Sequence, residues 1–217
     1  MAVLAAAPGD TRGEYDGVAS LYLPIALAVI AIVFGALAFA MVRYRARPGR
    51  APRPTGEHKA VELGIAAVIA AIVAVVTATT FASESRIEAA PPHPDLEVHA
   101  TSFRWGWRFD YPALGGIASV SANGAPAVLR VPQGALVHFS VASRDVIHSF
   151  WIPELRFKRD LFPYREEFFD LRFPRAVSFL GGRCAAYCGL KHSDMTFTVA
   201  VMPRAEFDAW AQRERAR

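Results

Sequence analysis

The sequence predicts a membrane protein: a two-helix transmembrane hairpin followed by an all-β Greek-key domain outside the cytoplasm. Three observations carry that reading. Two long uncharged apolar runs lie near the start, a basic cluster separates them, and the rest of the chain breaks into short segments bounded by Gly, Pro, Asn and Asp. Of the 217 residues, 53% are hydrophobic and 20% charged. That balance is too apolar for an ordinary soluble domain of this size and excludes disorder.

Residues 18–42 contain no charge and exceed the roughly 20 residues needed to cross a hydrocarbon core. Residues 63–82 form a second uncharged run, rich in Ala, Ile and Val, with Glu62 just inside its first turn. A cleavable signal peptide is the rival reading of the first run. It is disfavoured because residues 1–17 hold no basic n-region and the run is longer than an h-region of about 7 to 15 residues. The connecting loop carries Arg43, Arg45, Arg47, Arg50, Arg53 and Lys59 against the single acid Glu57, which assigns it to the cytoplasm. The segments on either side then face the periplasm or the cell exterior.

The expected organisation is an extracytoplasmic segment over 1–17, spans over 18–42 and 60–82 joined by a basic loop over 43–59, a linker over 83–95, a β domain over 96–204 and a tail over 205–217. The formal charge of +4 and pI near 9.3 raise the question of nucleic acid. Residues 83–217, however, hold 17 Lys plus Arg against 15 Asp plus Glu. The basic character belongs to the loop, and nucleic-acid binding has no warrant. In the outer domain, strands are expected over 96–98, 104–111, 127–131, 135–142, 168–173, 177–180 and 196–202. Val137, Phe139 and Val141 alternate with His138, Ser140 and Ala142, the period of a strand with one buried face. A helix is expected over 206–217, with Phe207 and Trp210 on one side.

The chemistry concentrates in Cys184, Cys188, His192 and Met195, with His148 upstream. Two cysteines outside the cytoplasm could form a structural disulfide. It would close a very small loop and leave His192 and Met195 unexplained. A stripe on a buried helix is opposed by Gly181, Gly182 and Gly189. Zinc could take Cys184, Cys188, His192 and His148 as a closed tetrahedral site. The thioether of Met195 favours copper, which accepts thiolate, thioether and imidazole together. A single blue-copper site needs only one Cys, whereas two thiolates could bridge a metal pair.

The run Gly182-Arg-Cys-Ala-Ala-Tyr-Cys-Gly-Leu-Lys-His-Ser-Asp-Met195 resembles the dinuclear copper (CuA) signature of the cytochrome c oxidase subunit II family. The apolar hairpin with Glu62, the stretch Trp105-Gly-Trp-Arg-Phe-Asp-Tyr111, the stretch Asp145-Val-Ile-His-Ser-Phe-Trp-Ile-Pro153 and residues 155–165 follow in the family's order, so the resemblance covers about residues 18–210. It implies a cupredoxin-like outer domain. It makes Cys184 and Cys188 bridging thiolates, with His148 and Met195 completing one copper, and His192 and the backbone carbonyl of Ala186 the other. It also implies electron input at Trp105, whose aromatic neighbours Trp107, Phe109 and Tyr111 are expected to share one strand face with it. Tyr187 is expected to pack or hydrogen-bond. Glu62 is implied as a proton inlet, although Leu63-Gly64-Ile65 lacks the family's usual aromatic. Lys158, Asp160 and Arg165 fall either at the interface with the large subunit or on a solvated turn.

Ala186 stands where the family usually has a glutamate, so no magnesium ligand is expected from this chain. The implied function is the electron-accepting subunit of a heme-copper terminal oxidase in the cell membrane. It would pass electrons from cytochrome c (soluble, membrane-bound or fused) to the heme of subunit I, with subunit III as a further partner, for reduction of oxygen to water with proton translocation. Oxygen reduction would occur in the partner subunit. The alternatives are the equivalent subunit of a nitric oxide reductase or, from a different class, a membrane-anchored copper-carrier or assembly protein.

Overall fold

A computed structural model describes residues 7–45, 56, 58–89, 93–173 and 179–216. Much of the basic loop, part of the linker and residues 174–178, which include the first two residues of the expected 177–180 strand, lie outside the described residues. The chain divides into two compact units, residues 16–84 and residues 1–15 with 85–217.

The first unit is built on two helices, α1 (Thr11–Arg43) and α2 (Lys59–Glu88), both long and apolar enough to cross a membrane. They form a hairpin. The Tyr22 hydroxyl donates to the Val76 carbonyl at 2.6 Å and meets the hydroxyls of Thr79 and Thr80, satisfying polar groups that hydrocarbon would leave bare. Both helices outrun the uncharged stretches: α1 begins at Thr11 and α2 reaches Glu88.

Those extra turns belong to the second unit. Thr11 Oγ1 donates to the Leu155 carbonyl at 2.6 Å, and Glu14, almost fully buried, takes a two-pronged bond from Arg86 with both contacts at 2.8 Å. A buried carboxylate requires such a partner. The Arg172 side chain and main chain bond the Pro8 and Gly9 carbonyls, so the segment ahead of the span is fastened to the β domain.

That domain is a sandwich of two five-stranded sheets. One is ordered β3 (Ile117–Val120), β2 (Gly106–Tyr111), β1 (Leu96–Phe103), β5 (Leu136–Ser143), β8 (Glu167–Arg172). The other is ordered β4 (Ala127–Pro132), β10 (Thr196–Met202), β9 (Phe179–Cys184), β6 (His148–Ile152), β7 (Phe157–Leu161). The β1–β5 and β4–β10 pairs are parallel and the others antiparallel. A helix, α3 (Arg204–Arg215), follows and buries Phe207 and Trp210. The Trp210 ring lies edge-on to Tyr111 and under the Arg130 guanidinium.

Several expectations change. The four-ring strand face is not formed: Trp107, Phe109 and Tyr111 point into the core, whereas Trp105 lies in the two-residue turn between β1 and β2 and is half-buried. Ser140 is buried rather than outward, donating to Glu166 at 2.6 Å. The strands β3, β6 and β7 were not expected. β6 is an interior strand buried on both faces, which erases the period-two signal. β3 and β7 are short edge strands. Residues 181–184 continue β9 instead of opening a loop. Gly182 is small because Phe197 of β10 lies across it; a Cβ there would overlap the ring. That ring is itself wedged among Trp107, Phe109 and Phe150, with centroids 4.9 to 5.3 Å away.

Gly182→Ala is therefore expected to destabilise the β domain by about 1–3 kcal/mol. Thermal or denaturant unfolding of the solubilised chain, followed by tryptophan fluorescence, reads the change; an unaltered midpoint would contradict the packing described here.

Candidate metal centre

The β9–β10 hairpin builds the site. Cys184 ends β9 and gives its N–H to the Met195 carbonyl at 2.9 Å, so the first and last donor residues of the connecting loop face each other across the hairpin mouth. The neighbouring β6 pairs Phe150 with Cys184, and the Ala185 N–H donates to the Ser149 carbonyl, which brings His148 alongside. Within the loop, His192 opens a single helical turn and its N–H bonds the Gly189 carbonyl. Gly189 has φ +115°, a region closed to most residues. It also lets the Trp105 indole approach, since a Cβ there would meet the ring at 3.3 Å.

All six expected ligand residues converge. The sulfurs of Cys184 and Cys188 are 4.0 Å apart and form no disulfide. Around Cys184 Sγ stand His148 Nδ1 at 3.7 Å and the Ala186 carbonyl oxygen at 3.2 Å. Around Cys188 Sγ stand His192 Nδ1 at 3.6 Å and Met195 Sδ at 3.8 Å. Ligand atoms of His148, Cys184 and Cys188 lie within 4.8 Å of one another. His148, Cys184, Cys188 and Met195 are buried. An imidazole nitrogen enclosed with two unbonded thiols and a thioether is a donor set for a soft metal ion, and it fits copper.

Asp145 is the residue that ligand-type reasoning missed, although it stands three positions before His148 in the same motif. Its Oδ1 accepts from His148 Nε2 at 2.9 Å and from the Val146 N–H at 2.7 Å, while its Oδ2 accepts the Arg104 N–H at 2.8 Å. Burial pushes this carboxyl upward, and those three hydrogen bonds outweigh it, holding it at about 2. The carboxylate so fixed turns Nδ1 of His148 toward the sulfurs, the arrangement that orients metal-binding histidines. Burial opposes charge on His148, but its bonds to Cys184 and Asp145 raise its pKa. Burial also raises the Cys184 thiol, yet His148 and the nearby backbone lower it overall. Cys188 is pushed up by burial and then by the charge on Cys184. Of the two thiols, Cys184 is therefore the one held toward ionisation.

The remaining expected residues are distributed differently. Trp105 Nε1 donates to the Cys188 carbonyl at 3.2 Å, so the indole bonds the main chain of a candidate ligand itself. Trp107 Nε1 reaches the Met195 carbonyl at 3.5 Å from the core side. Tyr187 is not packed away: it is 82% exposed, edge-on to His192 at 5.7 Å. Glu62 is exposed in the first turn of α2, in the other unit. On β7, Lys158 pairs with Asp160 at 3.5 Å, and Arg165 lies over the Phe162 ring.

Residues 96–202 match the family described as cytochrome c oxidase subunit II, periplasmic domain. The chain is 29% identical over 202 residues to a probable cytochrome c oxidase subunit 2 of Rickettsia bellii, a match covering 87% of this chain and 74% of that protein. It is 30% identical over 196 residues to cytochrome c oxidase subunit 2 of Alkalihalophilus pseudofirmus, covering 87% of this chain and 55% of that one. Against the crystal structure of the periplasmic domain of subunit II of cytochrome oxidase (CoxB) of Bradyrhizobium japonicum, the TM-score is 0.52 at 26% identity, covering 58% of this chain and 96% of that domain. The chain therefore spans between 55% and 74% of the length of these two curated relatives.

Two outcomes test the site. In the metal-free chain at neutral pH, alkylation followed by peptide mass spectrometry is expected to modify Cys184 before Cys188, because both are similarly buried and only the former is held toward thiolate; the reverse order would contradict the electrostatics. Asp145→Asn removes the charge that orients His148 and is expected to weaken metal retention about 10–100-fold, read by chelator competition.

Proposed function

We propose that this chain, which belongs to the cytochrome c oxidase subunit II family by its β-sandwich over residues 96–202, is the electron-accepting subunit of a heme-copper terminal oxidase. It takes electrons from a c-type cytochrome and delivers them to the heme of the catalytic subunit, where oxygen is reduced to water and protons are translocated. The observation that carries this reading is the pair of buried, unbonded thiols 4.0 Å apart, each with an imidazole Nδ1 within 3.7 Å.

In this reading Cys184 and Cys188 would hold two copper ions jointly, with His148 and Met195 serving one and His192 and the Ala186 carbonyl the other. Such a centre, when bound, would supply one-electron redox chemistry shared over two metals. The chain's own residues supply the rest. The sandwich core excludes water from the sulfurs, Asp145 fixes the His148 ring, and β9 and β10 brace the two ends of the loop, so the ligand cage is rigid before any electron arrives. Burial of four donor residues favours a relay over a carrier, whose ligands must be accessible for exchange. The Trp105 N–H to Cys188 carbonyl bond offers a short covalent and hydrogen-bonded route from the surface to a thiolate. Trp105 is accordingly the electron-input residue.

The two apolar helices anchor the chain in the cell membrane, with the basic loop over 43–59 cytoplasmic and the β domain periplasmic or extracellular. Subunit I, and subunit III beside it, are the assembly partners, and Glu62 is the candidate proton inlet on the membrane segment. Ala186 contributes only its carbonyl, so this chain is expected to supply no magnesium ligand.

Loading the full-length, detergent-solubilised chain with copper tests the assignment. Two coppers per chain and a near-infrared absorption band are expected, and Cys184→Ser and Cys188→Ser should each remove the band. One copper per chain, or a band that survives either substitution, would overturn it.

A further inference from the structure

From the surface above the metal loop, we infer that the electron donor is a c-type cytochrome whose exposed heme edge is ringed by carboxylates rather than by lysines. This inference rests on the proposed function and specifies its partner.

The tip of the loop is apolar and open. Tyr187 is 82% and Leu190 89% exposed, and Ile147 on the adjoining loop is 47% exposed. Tyr187 lies between Cys184 and Cys188 in the chain, Leu190 two positions before His192 and Ile147 one before His148, so these exposed apolar side chains flank the donor residues and mark an interaction surface. Beside them, a cleft of about 530 Å³ runs along Trp105, bordered by Arg104, Asn123, Lys191, Asp194 and Thr196. A partner seated over the loop tip would therefore fill this cleft and lie against the indole that bonds the Cys188 carbonyl.

The charges around this patch decide the chemistry of the occupant. Arg104, Arg144 and Lys191 are exposed cations on the three loops that frame it. Two acids lie among them. Asp145 has both oxygens turned inward, Oδ1 to His148 and the Val146 N–H, Oδ2 to the Arg104 N–H with the Arg104 guanidinium 3.5 Å away. Asp194 accepts from the Ser193 hydroxyl at 3.1 Å. On the neighbouring β7–β8 loop, Arg165 is paired with Glu167, and Glu166 accepts from Ser140. The field presented outward at the loop tip is thus positive, in line with the net +2 of residues 83–217. A lysine-ringed donor would meet like charge at the point of contact, whereas a carboxylate-ringed one is attracted and can place an acid between Arg104 and Lys191. Each productive encounter moves one electron: the ferrous heme becomes ferric as the metal centre is reduced.

The test uses the copper-loaded full-length chain and two probes that share one heme. One is a cytochrome c with lysines around its heme edge; the other is the same protein with those lysines succinylated, which reverses the charge. Stopped-flow decay of the near-infrared band reads the second-order rate at about 10 mM and about 150 mM salt. The succinylated probe is expected to be at least about tenfold faster at low salt, with the advantage shrinking as salt rises, and R144E combined with K191E is expected to erase it. A faster unmodified cytochrome, or equal rates insensitive to salt, would overturn the inference. Neutral hydroquinone as a small reductant separates the two readings. If the band is absent or hydroquinone cannot bleach it, the proposed function fails; if hydroquinone bleaches it normally while the cytochrome preference is reversed or absent, only the donor chemistry is wrong.

Discussion

A pair of thiol sulfurs, held 4.0 Å apart inside a β-sandwich and left unbonded, sets the demand that the neighbouring elements meet. Left alone, two such groups would oxidise to a disulfide or pay for burial unpartnered. The chain resolves this by spacing. Cys184 is pinned at the end of β9 by the Met195 carbonyl, Cys188 sits within the loop that follows, and each sulfur faces an imidazole nitrogen whose ring comes from a different element. The approach of β9 to β10 that makes this possible relies on Gly182, over which Phe197 lies, and Phe197 in turn closes the aromatic core with Trp107, Phe109 and Phe150. Core packing and site geometry are one arrangement.

Asp145 extends that arrangement to the surface. A single carboxylate bonds His148 on one side and the main chain of Arg104 on the other. It ties the imidazole that faces the sulfurs to the turn that carries Trp105, while Trp105 reaches back to the Cys188 carbonyl. The candidate input residue and a candidate ligand therefore hold each other in place, an arrangement suited to transferring charge with little motion. The ion pair of buried Glu14 with the partly exposed Arg86 plays a comparable part elsewhere in the same unit, joining the first turn of α1 to the last turns of α2.

The two long apolar helices, the two-sheet architecture and the Cys-Cys-His-Met series that converges with His148 were legible in the sequence, because each rests on residue type and spacing; the place of the Ala186 carbonyl came only from the family resemblance. Runs without charge, alternation as in β5, and a Cys-Cys-His-Met series need no tertiary information. What escaped reading was decided by contacts distant in sequence. β6 is buried on both faces, so His148-Ser-Phe-Trp-Ile carries no alternation, and its strand character comes from pairing with β7 and β9. Trp105 follows the period of Trp107, Phe109 and Tyr111, yet the chain reverses at Arg104 and Trp105, which carries that ring out of the core and onto the metal loop. Glycines 181 and 182 read as loop because a strand gains nothing from them locally; their reason is Phe197 on the next strand. Asp145 looked like one more polar residue because its role exists only through the ring it orients.

The sharing of two thiolates by a metal pair is best examined through the unpaired electron itself. Electron spin resonance of the oxidised, copper-loaded full-length chain should give a hyperfine pattern from two equivalent copper nuclei, the signature of one electron spread over both. A pattern arising from a single copper nucleus would contradict the account, whatever the colour of the protein.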